Sequence, residues 1–306
     1  MDKDQFTLSE QMLAVGHGHK LYVQDWGNKS AKVPIIFLHG GPGSGVSDKH
    51  RQMFDPKLQR VILFDQRGSG KSQPTGSLEH NTTADSVEDI EKIAQEYKLD
   101  KFVVVGGSWG ACLGLAFALK YPKRVEALVL RGIFTGSQSE IDFIDKGHFR
   151  AFFPDVWDAY LARTPKRWHQ NPGEYHAPRV LAGSKKAKLE STYAYSELEG
   201  SLIGLDDRHS PEPIKDFDLN STRVEVHYLV NQCFMSDRYI LDNAHKLKMP
   251  VHLIQGRYDM VCPPVTAYEL HKQLPNSRLI WTTAGHSGND RANYDLVRSI
   301  CMQITP

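Results

Sequence analysis

The chain has 306 residues, 40% hydrophobic and 24% charged, enough to bury the core of one large domain or of a core carrying a smaller insert. Its 37 Lys and Arg offset 36 Asp and Glu to a formal +1 with no basic block, which argues against a nucleic-acid partner. Met1-Asp2-Lys3-Asp4-Gln5 is acidic where a signal peptide would be basic, and no run approaches a membrane span. Cys112, Cys233, Cys262 and Cys301 lack metal-ligand spacing, so the expectation is a cytoplasmic protein with reduced thiols, no metal and no membrane partner.

Residues 11–15 and 20–26 are short, partly alternating segments around Gly16-His17-Gly18-His19, the pattern of a β-hairpin. Pro34-Ile35-Ile36-Phe37-Leu38 is a continuous apolar run typical of a buried parallel strand. It ends in His39-Gly40-Gly41-Pro42-Gly43-Ser44-Gly45, a loop bare enough to present backbone N–H groups to a ligand. No helical pattern follows directly and no acidic residue ends a second strand in the dinucleotide arrangement, so no organic cofactor is expected. Val61-Ile62-Leu63-Phe64 is the next strand. Beyond it, Gly70-Lys71-Ser72 imitates a phosphate-binding loop but has Asp65 where that motif needs glycine, and a tight loop braced by Asp65 and Arg67 is the simpler account. Thr82 or Thr83 then caps a helix whose apolar residues Val87, Ile90, Ile93, Ala94 and Tyr97 recur at helical spacing.

The next stretch, Val103-Val104-Val105-Gly106-Gly107-Ser108-Trp109-Gly110-Ala111, passes from a β-branched run through small residues into a helical pattern carried by Ala111, Leu115 and Ala118. A turn this tight needs glycine at 106 and 110 so that the two backbones can approach, and it holds Ser108 outward in a strained conformation, as a nucleophile elbow does. Taken alone the pattern is also that of a glycine-lined strand-to-helix turn. A further strand covers residues 125–130. From about 131 to 246 the chain is rich in aromatics and its patterns are helical, most clearly over residues 184–198, with a polar stretch holding Pro211 and Pro213. This reads as a helical lid over the C-terminal ends of the strands, where open α/β sheets bind ligands.

Strands return at residues 251–255 and 278–281, separated by a helix over 266–273. The first is followed by Gly256-Arg257-Tyr258-Asp259 and the second by Ala284-Gly285-His286-Ser287. Asp259 alone reads as a turn residue and His286 alone as a surface group. The order Ser108, Asp259, His286, each at the end of a strand, is the triad order of α/β-hydrolases. His286 would take the serine proton, Asp259 would hold the imidazole, and the backbone N–H groups of Trp109 and Gly41 would meet the oxyanion.

The full set of motifs resembles the proline iminopeptidases: His39-Gly40-Gly41-Pro42-Gly43, Asp65-Gln66-Arg67-Gly68-Ser69-Gly70, the Asn81-Thr82-Thr83 helix start, Gly106-Gly107-Ser108-Trp109-Gly110, Leu130-Arg131-Gly132-Ile133-Phe134, Gly256-Arg257-Tyr258-Asp259 and Ala284-Gly285-His286-Ser287. The resemblance runs over nearly the whole chain. It implies a core at 1–134 and 247–306 with a helical cap at 135–246 inserted after the sixth strand, and removal of an N-terminal proline from short peptides without metal or cofactor. It further implies that Glu199 and Glu225 bind the free amino terminus. Leu198 stands where the family has a tryptophan. In the pocket for the cleaved residue Phe134 matches the family, whereas Ile144 and Leu229 replace a tyrosine and a phenylalanine, which implies tolerance of other small or medium apolar residues. A carboxylic-ester hydrolase of the same fold is the alternative, because ester hydrolysis needs the same triad and no amine recognition.

Overall fold

The computed structural model describes residues 5–205 and 215–305; the stretch with Pro211 and Pro213 lies outside the described residues. The strands are β1 (Thr7–Gly16), β2 (His19–Gly27), β3 (Ile35–Leu38), β4 (Arg60–Phe64), β5 (Phe102–Ser108), β6 (Val125–Ile133), β7 (Val251–Gly256) and β8 (Ser277–Thr282). They form one sheet in the order β1-β2-β4-β3-β5-β6-β7-β8. The β1–β2 hairpin joins antiparallel at one edge, and the remaining six strands are parallel. The helices are α1 (Asp48–Arg51), α2 (Thr83–Glu96), α3 (Trp109–Lys120), α4 (Gln138–Asp145), α5 (Pro154–Ala162), α6 (Pro172–Ala182), α7 (Lys185–Ile203), α8 (Asp216–Val230), α9 (Tyr239–Asn243), α10 (Pro264–Gln273) and α11 (Arg291–Ile304).

The strands bury both faces, and their side chains alternate between two cores. Ile36, Leu38, Ile62, Val104 and Leu128 face α2 and α3, whereas Ile35, Phe37, Val61, Val103 and Val129 face Val297, Ile300 and Cys301 of α11. Helix α3 is apolar all round and ten of its twelve residues are buried, as a helix enclosed on every side requires. Thr82 caps α2 through its bond from the Asp85 N–H, and Asp89 farther along that helix receives Arg67 through two bonds of 2.6 and 2.8 Å. The glycine-rich loop after β4 is closed instead by Asp65, whose carboxylate accepts from Val46 N and Lys71 N.

Helices α4 to α8 lie between β6 and β7 in the chain and carry small cores of their own, one built on Phe149, Trp157, Tyr160 and Leu198, another on Ala177, Val180 and Val226. Tyr228 of α8 anchors this cap to the sheet: its ring meets Trp109 edge-on at 4.6 Å and its hydroxyl donates to Asn81 at 2.9 Å. Two of the boundaries that differ from the sequence reading lie near the serine and the cap. Strand β6 runs on to Ile133 because Arg131 and Ile133 keep pairing with Gly107 and Ser108 of β5. Helix α7 continues through Glu199-Gly200 to Ile203, because Leu198 and Leu202 go on packing against the cap core past the glycine. Among the described residues, no helix is long and apolar enough to cross a membrane.

Candidate active site

Ser108 ends β5 with φ 57° and ψ −126°, a backbone region costing an L-residue roughly 1–3 kcal/mol. The turn leaves no alternative, since a Cβ at Gly106 would stand 2.5 Å from the Gly110 carbonyl oxygen and one at Gly110 would stand 2.2 Å from that of Leu38. Helix α3 begins at Trp109, so its unsatisfied N–H groups point back towards the serine. Gln66 ties the two flanking segments together. Its side chain accepts from the Trp109 indole at 2.8 Å and donates to the His39 carbonyl at 2.9 Å, and its backbone N–H donates to the His39 ring at 3.0 Å.

Asp259 is fully buried and surrounded by donors. Oδ1 accepts from Val261 N at 3.0 Å and Cys262 N at 2.7 Å; Oδ2 accepts from Gln255 Nε2 at 3.1 Å and His286 Nδ1 at 2.8 Å. The Nδ1 proton is thereby fixed on the aspartate side, which leaves Nε2 of His286 as the basic atom. The backbone N–H of His286 donates to Ile203 at the end of α7, and its carbonyl accepts from Arg131 at 2.6 Å. Burial lowers the pKa of Arg131. Among the described residues the Ser108 hydroxyl pairs with Cys262 Sγ at 4.0 Å rather than with His286. In hydrolases the serine–histidine bond commonly tightens only with substrate in place.

Ser108 faces a cavity of about 80 Å³ beneath the cap. At about 15 Å³ of such space per water, this is room for some five waters, the scale of one medium-sized side chain. Gly41, Phe134, Ile144, Leu229, Glu199 and Glu225 all line it. Neither glutamate has a hydrogen bond or ion pair among the described residues. Burial and the neighbouring Glu199 push the Glu225 carboxyl well above the usual carboxylate range; burial also raises Glu199, with His286 acting against the rise.

The cavity has further walls that the sequence reading gave no site role: Glu140, Asp145, Tyr195 and Cys262, together with Leu198 at the family's tryptophan position. Glu140 is a satisfied group, accepting from the backbone and hydroxyls of Thr135 and Ser137, and its Ser137-x-x-Glu140 spacing was a legible capping-box signal. Asp145 is raised to about 6 by burial and by Asp142. Burial pushes the Cys262 thiol far up, so it stays protonated. Gln255 and Gln66 had only weak signals, a polar residue at the end of an apolar strand in each case.

Outside the cavity, His17, His80 and Asp85 place ligand atoms within 4.8 Å of one another. The two imidazoles stack at 3.9 Å with their planes 17° apart, so their in-plane lone pairs cannot converge on one ion.

A strained serine at a strand-to-helix turn, an aspartate–histidine pair after β7 and β8 and a capped cavity define the α/β-hydrolase class, and the alpha/beta hydrolase fold family matches residues 33–290. Curated relatives narrow this further. A proline iminopeptidase of Arabidopsis thaliana is 38% identical over 91% of this chain and 75% of its own length, and a probable proline iminopeptidase of Leptolyngbya boryana is 41% identical over 90% and 88%. The chain belongs to the proline iminopeptidase family. Among solved structures, a proline iminopeptidase of Mycobacterium smegmatis superposes with a TM-score of 0.67 at 20% identity, covering 97% of this chain and 99% of that one. An esterase from Exiguobacterium antarcticum does so with 0.63 at 19% identity, covering 94% and 96%, and at such identities the likeness is one of fold.

Proposed function

We propose that this protein is a serine aminopeptidase that releases the N-terminal residue, proline among others, from peptides with a free amino terminus. In this reading Ser108 Oγ attacks the first peptide carbonyl as His286 Nε2 takes its proton, while Asp259 holds the ring and stabilises the imidazolium. The N–H groups of Trp109 and Gly41 receive the oxyanion, each worth roughly 3 kcal/mol in the transition state. The imidazolium then protonates the leaving amine, and water attacks the acyl-enzyme by the reverse proton path. Residues 1–134 and 247–306 supply this machinery and the cap at 135–246 supplies recognition. The roles need no metal or organic cofactor.

One observation carries the amine specificity: two enclosed carboxylates without partners, Glu199 and Glu225, share the serine's cavity, and Glu199 is close enough to His286 to feel its charge. Two unpaired carboxylates are costly to keep unless a cation completes them, and the substrate's ammonium is the cation that reaches this position. Phe134, Ile144 and Leu229 hold the side chain. Four free, buried cysteines suit a reducing compartment, and we place the enzyme in the cytoplasm. Hydrolysis of aminoacyl arylamides with free and with acetylated amino termini tests the reading. Loss of activity on acetylation is expected; equal rates would favour the esterase alternative.

A further inference from the structure

A single N-terminal ammonium leaves one carboxylate of this cavity unanswered. Asp145 ends α4 and lines the same cavity as Glu225. It has no hydrogen bond or ion pair among the described residues. Lys146, the cation next to it in the chain, is already committed to Asp142 at 2.6 Å. Helix α4 does not supply the missing stabilisation, since a C-terminal turn is the wrong end of the helix dipole for an anion. The first turn of α6 lies close by, with Asp145 Oδ2 about where a Cβ at Gly173 would be crowded at 3.0 Å, yet it donates no hydrogen bond to the carboxylate. A half-buried, unpaired carboxylate inside a binding cavity calls for an explanation in terms of what enters that cavity.

Its position in a row of charged and polar groups supplies one. Glu199 feels His286, Glu225 feels Glu199, and Tyr195 feels both Glu225 and Asp145. Glu199, Glu225, Tyr195 and Asp145 all line the cavity that Ser108 faces. Ile144 and Leu229 give this stretch aliphatic walls. The same Asp145, with Ile141, Tyr195, Val226 and Leu229, also borders a groove of about 860 Å³.

We propose that Asp145 is a second cation subsite, which extends the enzyme's activity to peptides beginning with a residue whose side chain carries an amine, lysine or ornithine. This assignment rests on the aminopeptidase reading above. The α-ammonium lies between Glu199 and Glu225, the methylene stem follows Ile144 and Leu229, and the side-chain ammonium meets Asp145. Norleucine has the same stem without the charge. It would cover Asp145 with a methyl group and leave it unpaired, and a site built around a polar partner rejects the analogue that lacks it.

The experiment compares kcat/KM for the arylamides of lysine, norleucine, Nε-acetyl-lysine and proline, in wild type and in Asp145→Asn. In wild type the lysyl substrate is expected to exceed the norleucyl and acetyl-lysyl substrates at least tenfold, a measurement that needs no variant to fold. In Asp145→Asn the lysine-to-norleucine ratio is expected to fall at least tenfold. A wild-type ratio at or below one, or a ratio the variant leaves unchanged, overturns the Asp145 assignment while proline cleavage keeps the aminopeptidase reading in place. If no free-amine substrate is cleaved, that reading falls and this one with it.

Discussion

Gly132 lies directly against the histidine–aspartate pair: a Cβ there would stand 3.0 Å from His286 Cε1 and 3.1 Å from its Nδ1. The 2.8 Å bond between His286 and Asp259 thus depends on a bare backbone in the neighbouring strand, in addition to the three other donors that converge on the aspartate. Gly132 also has a φ of 52°, which an L side chain adopts only with strain.

Gly132→Ala is accordingly expected to push the imidazole off its bond and to lower kcat/KM for prolyl arylamide at least a hundredfold, with a stability loss of about 1–2 kcal/mol. Kinetics and thermal melting measure the two effects separately. Activity within threefold of wild type would mean that the ring's position tolerates a displacement the geometry says it cannot.

Ser108→Ala should remove peptidase turnover, by about four orders of magnitude or more, because the residual rate then comes from the oxyanion donors and binding alone. The strained backbone at φ 57° is also relieved only slightly by alanine, so the melting temperature should stay near wild type. A phosphonylating inhibitor should add its mass to Ser108. Near wild-type turnover in purified Ser108→Ala would remove the nucleophile assignment.

Much of this was legible because the signals are local. The β-branched run ending in Gly106-Gly107-Ser108 announces β5 and its turn, and the runs at 35–38 and 61–64 announce β3 and β4, since strands buried on both faces must be continuously apolar. What stayed hidden depends on contacts distant in the chain. Asp145 sits in a helix of mixed polarity that, read alone, places it among solvated residues; only the packing of α6, α7 and α8 encloses it. The end of α7 was obscured by Gly200, a residue that weakens a helix by about 1 kcal/mol but is overridden here by the buried Leu202. Gln66 and Gln255 are polar residues at strand ends, and their bonds to His39, Trp109 and Asp259 follow from the sheet order, not from spacing.

Glu225 links recognition to stability. Its carboxyl holds its proton to a higher pH in the folded chain than the unfolded value of about 4.3, through burial and Glu199. The folded state therefore binds more protons between those two values, and stability falls as pH rises from about 4.3 through the raised folded pKa. Glu225→Gln removes that loss. The variant should melt about 2 °C above wild type at pH 8, an advantage that disappears below about pH 4. It should also lose kcat/KM for free-amine substrates by at least tenfold while a neutral ester of similar size is much less affected. Equal losses on both substrates would make the carboxylate structural, and a variant less stable than wild type at pH 8 would contradict its buried, unpaired state.

The side-chain pocket sets how strictly proline is preferred. Its walls include Phe134, Ile144, Leu198 and Leu229, with Tyr195 a second aromatic residue. Phe134 offers a flat face to a pyrrolidine ring; Ile144, Leu198 and Leu229 are rounder and smaller than aromatic rings and hold a flat ring by area alone. Hydrophobic pockets separate ligands by about 1–3 kcal/mol per methylene-sized difference, so with aliphatic side chains at 144, 198 and 229 the enzyme should cleave alanyl and leucyl arylamides at rates within about a hundredfold of the prolyl substrate. Leu229→Phe adds a flat face and should raise the proline-to-leucine ratio of kcat/KM at least fivefold, mainly by weakening leucine. Measuring the three substrates on both enzymes decides the matter. A wild-type preference for proline above a hundredfold over both others, a gap of about 2.7 kcal/mol, would mean that the aliphatic walls grip the ring as tightly as aromatic ones.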